Sequence, residues 1–124
     1  MAARTARFAL TEILVEIEWI GRVTADKSLV DFQSDRILRY AVERSIEIIS
    51  EASRRIPEVW KQTQPQIAWR AIAGIGNMMR HEYHVSSAEI VWNAVQDDLA
   101  PLAAAVQAIA RAVPLDDDVA GLGE

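Results

Sequence analysis

Between residues 38 and 56 the apolar side chains Leu38, Ala41, Val42, Ile46, Ile49, Ala52 and Ile56 recur at three- and four-residue spacing, the stripe that an amphipathic helix buries. The same period runs through nearly the whole chain, and no run of alternating β-branched residues competes with it, so the expected fold is all-α. A chain of 124 residues can bury one self-sufficient core without disulfides or metal staples. We therefore expect a small up-and-down bundle of four to five helices over residues 1–113. An acidic mobile tail should follow over residues 114–124, where PLDDDVAGLGE has little to bury.

The pattern predicts a first helix at about residues 4–23, with Phe8, Ile13, Ile17 and Ile20 inward and Trp19 beside them. Residues 27–33 read as a connector. A second helix begins near Ser34 and closes at Pro57, its outer face carrying Arg36, Arg39, Glu43, Arg44, Glu47, Glu51 and Arg54. After one or two turns in residues 58–64, Pro65 suits the first position of a third helix, because its missing N–H would be unbonded there anyway. That helix should end at Tyr83 or His84, since Ser86 and Glu89 have the spacing of a capping box for a fourth helix from about Ser87. Val91, Trp92 and Val95 face inward on it. Pro101 then predicts a kink or restart with Asp98 as N-cap, and a last helix runs to about Ala112.

The net charge of −5 argues against a general polyanion binder. The charge is uneven, however: residues 36–80 hold 8 basic and 4 acidic groups, whereas residues 81–124 hold 1 and 8. A local RNA-facing patch in the middle of the chain is compatible with that distribution. The absence of cysteine excludes a disulfide framework and a thiolate metal site and fits a reducing, cytoplasmic setting. Near the N-terminus, Glu12, Glu16, Glu18 and Arg22 interrupt every apolar run, so neither a signal segment nor a membrane span is expected.

Both histidines of the chain fall in GIGNMMRHEYH, residues 74–84. At 100° per residue, Arg70, Gly74, Asn77, His81 and His84 lie within about 40° of one line along the third helix. Arg80 diverges from His81 by about 100°. Gly74 and Gly76 each cost a helix interior roughly 1 kcal/mol relative to alanine, which suggests a close approach by a neighbouring helix or a second subunit. The bland alternatives are real. A lone histidine is often structural, His84 suits a helix C-terminus as a charge favoured by the macrodipole, and the four tryptophans are ordinary core or interface anchors. The two histidines stand at i and i+3 rather than i and i+4, and no glutamate precedes either by three, so neither a metal nor a cofactor is expected.

The segments SDRILRYAVERSIEIISEASRRIP at 34–57, PQIAWRAIAGIGNMMRHEY at 65–83 and VSSAEIVWNAVQDDLAPL at 85–102 together resemble the HepT-like ribonucleases of the HEPN superfamily. In that family an arginine is followed after four residues by histidine and then, after one more, by tyrosine, with asparagine directly after the arginine. Here Asn77, His81 and Tyr83 match, and Gly76 stands at the arginine position. The resemblance implies a symmetric homodimer whose motif helices meet at a cleft. It also implies a metal-independent ribonuclease toxin acting on RNA, tRNA included, and silenced by a nucleotidyltransferase antitoxin that binds it or transfers AMP to Tyr83. His81 would move the proton, and Arg80 is the nearest substitute for the missing arginine, with Arg70 as a second, phosphate-binding candidate. The alternative is a catalytically inactive helical dimer that binds and regulates such a partner. Deleting residues 114–124 should leave the melting temperature nearly unchanged in a thermal-denaturation comparison, because that segment has few apolar groups to bury.

Overall fold

The computed structural model describes residues 2–81 and 85–113, with side chains described over 5–79 and 88–113. Among the described residues it is all-helical, without a strand, and comprises seven helices: α1 (Ala2–Thr24), α2 (Leu29–Ser34), α3 (Arg36–Ser53), α4 (Glu58–Lys61), α5 (Trp69–His81), α6 (Val85–Asp97) and α7 (Leu99–Ala112). Five are 13 residues or longer. The excess over the expected four to five comes from α2 and α4, of 6 and 4 residues, which are too short to register as a periodic stripe. The expected tail at 114–124 lies outside the described residues.

Residues 27–33, expected as a connector, contain most of α2, which forms because of a local device. Ser28 accepts from the Asp31 backbone N–H at 3.1 Å while Asp31 accepts from the Ser28 N–H at 2.9 Å, a reciprocal capping box. The backbone N–H and then the side chain of Ser28 hold the Asp31 carboxyl below its ordinary value. The box therefore contributes fully above the ordinary carboxylate pKa, and that contribution is lost as pH falls through the lowered one. The turn seats Phe32, fully buried, against Trp92 of α6 with ring centroids 5.4 Å apart.

α1 and α3 run antiparallel. Arg55 donates to Glu12 and Ser45 donates to Glu16, so later residues of one helix meet earlier residues of the other. α1 also runs antiparallel to α7, where Arg7 donates to the Val113 carbonyl. The buried line of α1 is Ala6, Ala9, Leu10, Ile13, Ile20 and Thr24, all within about 60° of Ile13. Phe8, expected inward, is 61% exposed. It lies about 140° from Ile13, on the far side of the helix, so apolar character alone misplaced it.

α3 carries Val42, Ile46, Ile49 and Ala52 into the core as expected, and Leu38 packs against its edge. It starts at Arg36 because Asp35, rather than Ser34, is the N-cap, accepting from the Leu38 N–H at 3.0 Å. α5 starts at Trp69 rather than Pro65. The intervening residues form a turn in which the Trp69 indole donates to the Gln64 carbonyl at 3.1 Å. α6 already includes Ser86, so the Ser86–Glu89 pair does not mark its beginning; Ala88 lies on the buried stripe with Val91 and Trp92, and the helix extends beyond it. The break before Pro101 is where the sequence places it, with α6 ending at Asp97 and Asp98 as the N-cap of α7, though without a side-chain bond. Pro101 then falls in the first turn, where its missing donor costs nothing.

Phe32→Ala should destabilise the protein by about 3–5 kcal/mol in urea denaturation, the cost of a cavity where a fully enclosed ring had been. Phe8→Ala on the exposed side of α1 should change stability by less than about 0.5 kcal/mol.

Candidate functional site

α5 is amphipathic. Gly76 and Met79 are buried, and Ile72, Ile75 and Met78 pack partly buried against the core, while Arg70, Ala71, Gly74 and Asn77 are exposed. The line that the spacing predicts through Arg70, Gly74 and Asn77 is therefore a solvent-facing edge. Continued along the same helix, it reaches the backbone position of His81, the last residue of α5. Arg80 shares that last turn. The side chains of Arg80 and His81, and the whole of Tyr83 and His84, lie outside the described residues.

The edge is held in place from α3. The Ser50 hydroxyl, almost fully buried, donates to the Ala73 carbonyl of α5 at 2.9 Å. The Arg54 guanidinium, on the exposed rim, donates to the same oxygen through Nη2. This carbonyl points toward the Gly76–Asn77 step one turn on, so Arg54 stands on the flank of α5 beside the position where the family signature carries its arginine. Arg54 was read in the sequence as part of a solvated charged face. The available signal was its pairing with Ser50 at i and i+4, a polar rim bordering the buried stripe of α3.

Arg39 and Arg44 of α3, and Arg55 just beyond its C-cap Arg54, lie close to carboxylates, whereas the exposed Arg36 at its first position has none among the described residues. Arg39 is 4.0 Å from Glu43, Arg44 is 3.4 Å from Glu47, and Arg55 pairs with Glu12. Among the described residues, neither Arg54 nor Arg70 has a carboxylate partner. Lys61 of α4 stacks its ammonium 5.9 Å from the Trp69 ring centroid. The N-terminal half of α5 is thus flanked by basic groups from three helices. No group of three or more His, Asp or Glu among the described residues is placed to share a metal ion, and no helix among them is long and apolar enough to cross a membrane.

An apolar cavity of about 360 Å³ lies between α3, α5 and α7, lined by Ile46, Ile49, Ile67, Ile72, Ile75 and Leu102 among others. Neither Arg70 nor Asn77 lines it, so the candidate site is the exposed edge of α5 and not this cavity. At Gly74 an added Cβ would meet nothing within 4 Å. Among the described residues no neighbouring helix comes within that distance, so an approach by a helix of the same chain does not explain this glycine.

Residues 13–109 match the family model described as ribonuclease HepT-like. The chain is 33% identical over 99 residues to "Probable ribonuclease HepT" of Thermococcus cleftensis, covering 80% of this chain and 90% of that protein. It is 31% identical over 106 residues to "Putative RNase TTE0752" of Caldanaerobacter subterraneus subsp. tengcongensis, covering 86% and 95%. Against "Putative RNase MJ1380" of Methanocaldococcus jannaschii the identity is 30% over 99 residues, with 80% and 91% covered. No solved structure matches the chain significantly.

Since Gly74 is exposed and unopposed within the chain, Gly74→Ala should raise monomer stability by roughly 0.5–1 kcal/mol through helix propensity and a less disordered unfolded state. Urea denaturation at low protein concentration checks this; a loss of stability would mean that something within the chain needs the missing side chain.

Proposed function

The chain belongs to the ribonuclease HepT-like family, and from that premise we propose that it is a metal-independent ribonuclease toxin working at the exposed edge of α5. The observation that carries this reading is the continuity of α5 from Trp69 to His81 with Arg70, Gly74 and Asn77 exposed in line. An extended polyanion lying along that edge meets arginine, amide and then histidine in order. His81 takes the proton of the attacking hydroxyl or returns one to the leaving oxygen. Asn77 orients the phosphodiester as a hydrogen-bond donor, and Arg80 neutralises the charge that builds on the pentavalent phosphate.

The active unit in this reading is a homodimer in which two α5 helices face each other. Arg80, diverging by about 100° from the histidine of its own helix, then serves the histidine of the second copy. Gly74 supports this arrangement: exposed and unopposed in the chain, it is the position at which a second backbone could come close. Regulation comes from a nucleotidyltransferase partner that binds the dimer or transfers AMP to Tyr83, placing a bulky anion beside His81.

A second reading is favoured by one residue. Gly76 replaces the arginine of the family signature, as it would in a catalytically inactive dimer that only binds and regulates the nucleotidyltransferase. Incubating purified protein with RNA in the presence of chelator separates the two. Cleavage should be seen, His81→Ala should abolish it, and Arg80→Lys should lose most of it because a bidentate fork becomes a point charge. Sedimentation at micromolar concentration should show a dimer. Cleavage unaffected by His81→Ala would refute the assignment, and a folded dimeric wild type without any cleavage would establish the inactive reading.

A further inference from the structure

We propose that Arg54, the C-cap residue of α3, is a phosphate-contact residue of the RNA track along α5, holding a phosphodiester other than the one at His81. The inference rests on the ribonuclease reading and adds to it a residue from a second helix. Arg54 is exposed and donates through Nη2 to the Ala73 carbonyl, which occupies one of the five donors of its planar fork. Among the described residues the Arg54 side chain makes no other hydrogen bond, and the residue is exposed. The anchoring bond matters because a guanidinium already held in one orientation loses less freedom when it engages a phosphate.

Among the described residues no carboxylate compensates its charge. Arg39, Arg44 and the neighbouring Arg55 each have a carboxylate within 4.0 Å; Arg36 also has none among the described residues but stands at the other end of α3, about 27 Å of helix rise away. Arg70 likewise has none and stands three residues before Ala73, about 4.5 Å earlier along the helix axis. Arg70 belongs to the exposed edge of α5 itself, and Arg54 reaches the Ala73 carbonyl of α5 from the end of α3. Single-stranded nucleic acid is held by such uncompensated cations, whose phosphate contacts release counterions.

Position along α5 determines what Arg54 can do. Ala73 and His81 are separated by eight residues, about 12 Å of helix rise, so the phosphate that Arg54 holds is not the one that reacts at the His81 of the same chain. Arg54 therefore acts on substrate binding, not on the chemical step, in contrast to Arg80.

The test uses the full-length protein and a fluorescent single-stranded RNA in chelator. Arg54→Gln should raise KM about five-fold while leaving kcat unchanged. It should also lower the slope of log K against log salt by about 0.7, the share of one phosphate contact on a single strand. Arg54→Lys should restore the slope. Ser50→Ala removes the other donor to Ala73 without touching charge, and it should leave the slope at the wild-type value. If Ser50→Ala reproduces the slope change, the effect is a loosened α3–α5 contact and the inference is overturned. The slope is measured by binding to His81→Ala protein, so it does not depend on turnover. Wild-type protein that fails to cleave refutes the ribonuclease reading, whereas an unchanged slope in Arg54→Gln refutes the role of Arg54.

Discussion

Three serines of α3, Ser45, Ser50 and Ser53, are buried to 3% exposure or less in a helix whose other inward residues are aliphatic. A buried hydroxyl without a partner costs one to several kcal/mol, so each of these must find an acceptor where the packing puts it. Ser53 solves this within its own helix, donating to the Ser50 carbonyl at 2.7 Å. Ser45 and Ser50 solve it across helices, on Glu16 of α1 and on the Ala73 carbonyl of α5. Ser45 and Ser50 lie about 140° apart around α3. Together they specify how far α1 and α5 can slide along the central helix, which apolar contact alone would leave loosely determined.

The placement of the candidate site follows from that constraint. With Ala73 held against α3, the buried side of α5 is the one carrying Gly76 and Met79, and the opposite side, with Arg70, Gly74 and Asn77, remains exposed. The clamp uses a small hydroxyl at the buried contact and a guanidinium at the rim, so the same carbonyl joins the packing of the bundle to the charge distribution of its surface.

The glycine at the position of the family arginine gains a physical context here. Gly76 is buried, so a long cationic side chain at that position would start from the covered side of α5. Membership in the ribonuclease HepT-like family thus does not carry over the family's cation at its usual position. The cations that this chain presents near the edge of α5 come from other places, Arg54 on α3 and Arg70 one helical turn before Ala73.

Much of the architecture is local and was legible in residue order. The helical class, the length of α1, the core stripe of α3, the restart at Asp98 and the end of α7 all follow from a 100° turn per residue and from the backbone limits of proline, neither of which depends on distant neighbours. The shared face of Arg70, Gly74 and Asn77 belongs to the same class. Other features needed the tertiary structure. Phe8 is as apolar as Leu10, and only the position of α3 and α7 against α1 decides which of them is covered. Pro65 was compatible with a helix start until the Trp69 indole closed the turn after it. Arg54 was one of seven charges on an outer face until α5 came to lie beside it. Periodicity states which side of a helix is apolar, but it does not state what lies against that side or how far along, and those are set by contacts between residues distant in the chain.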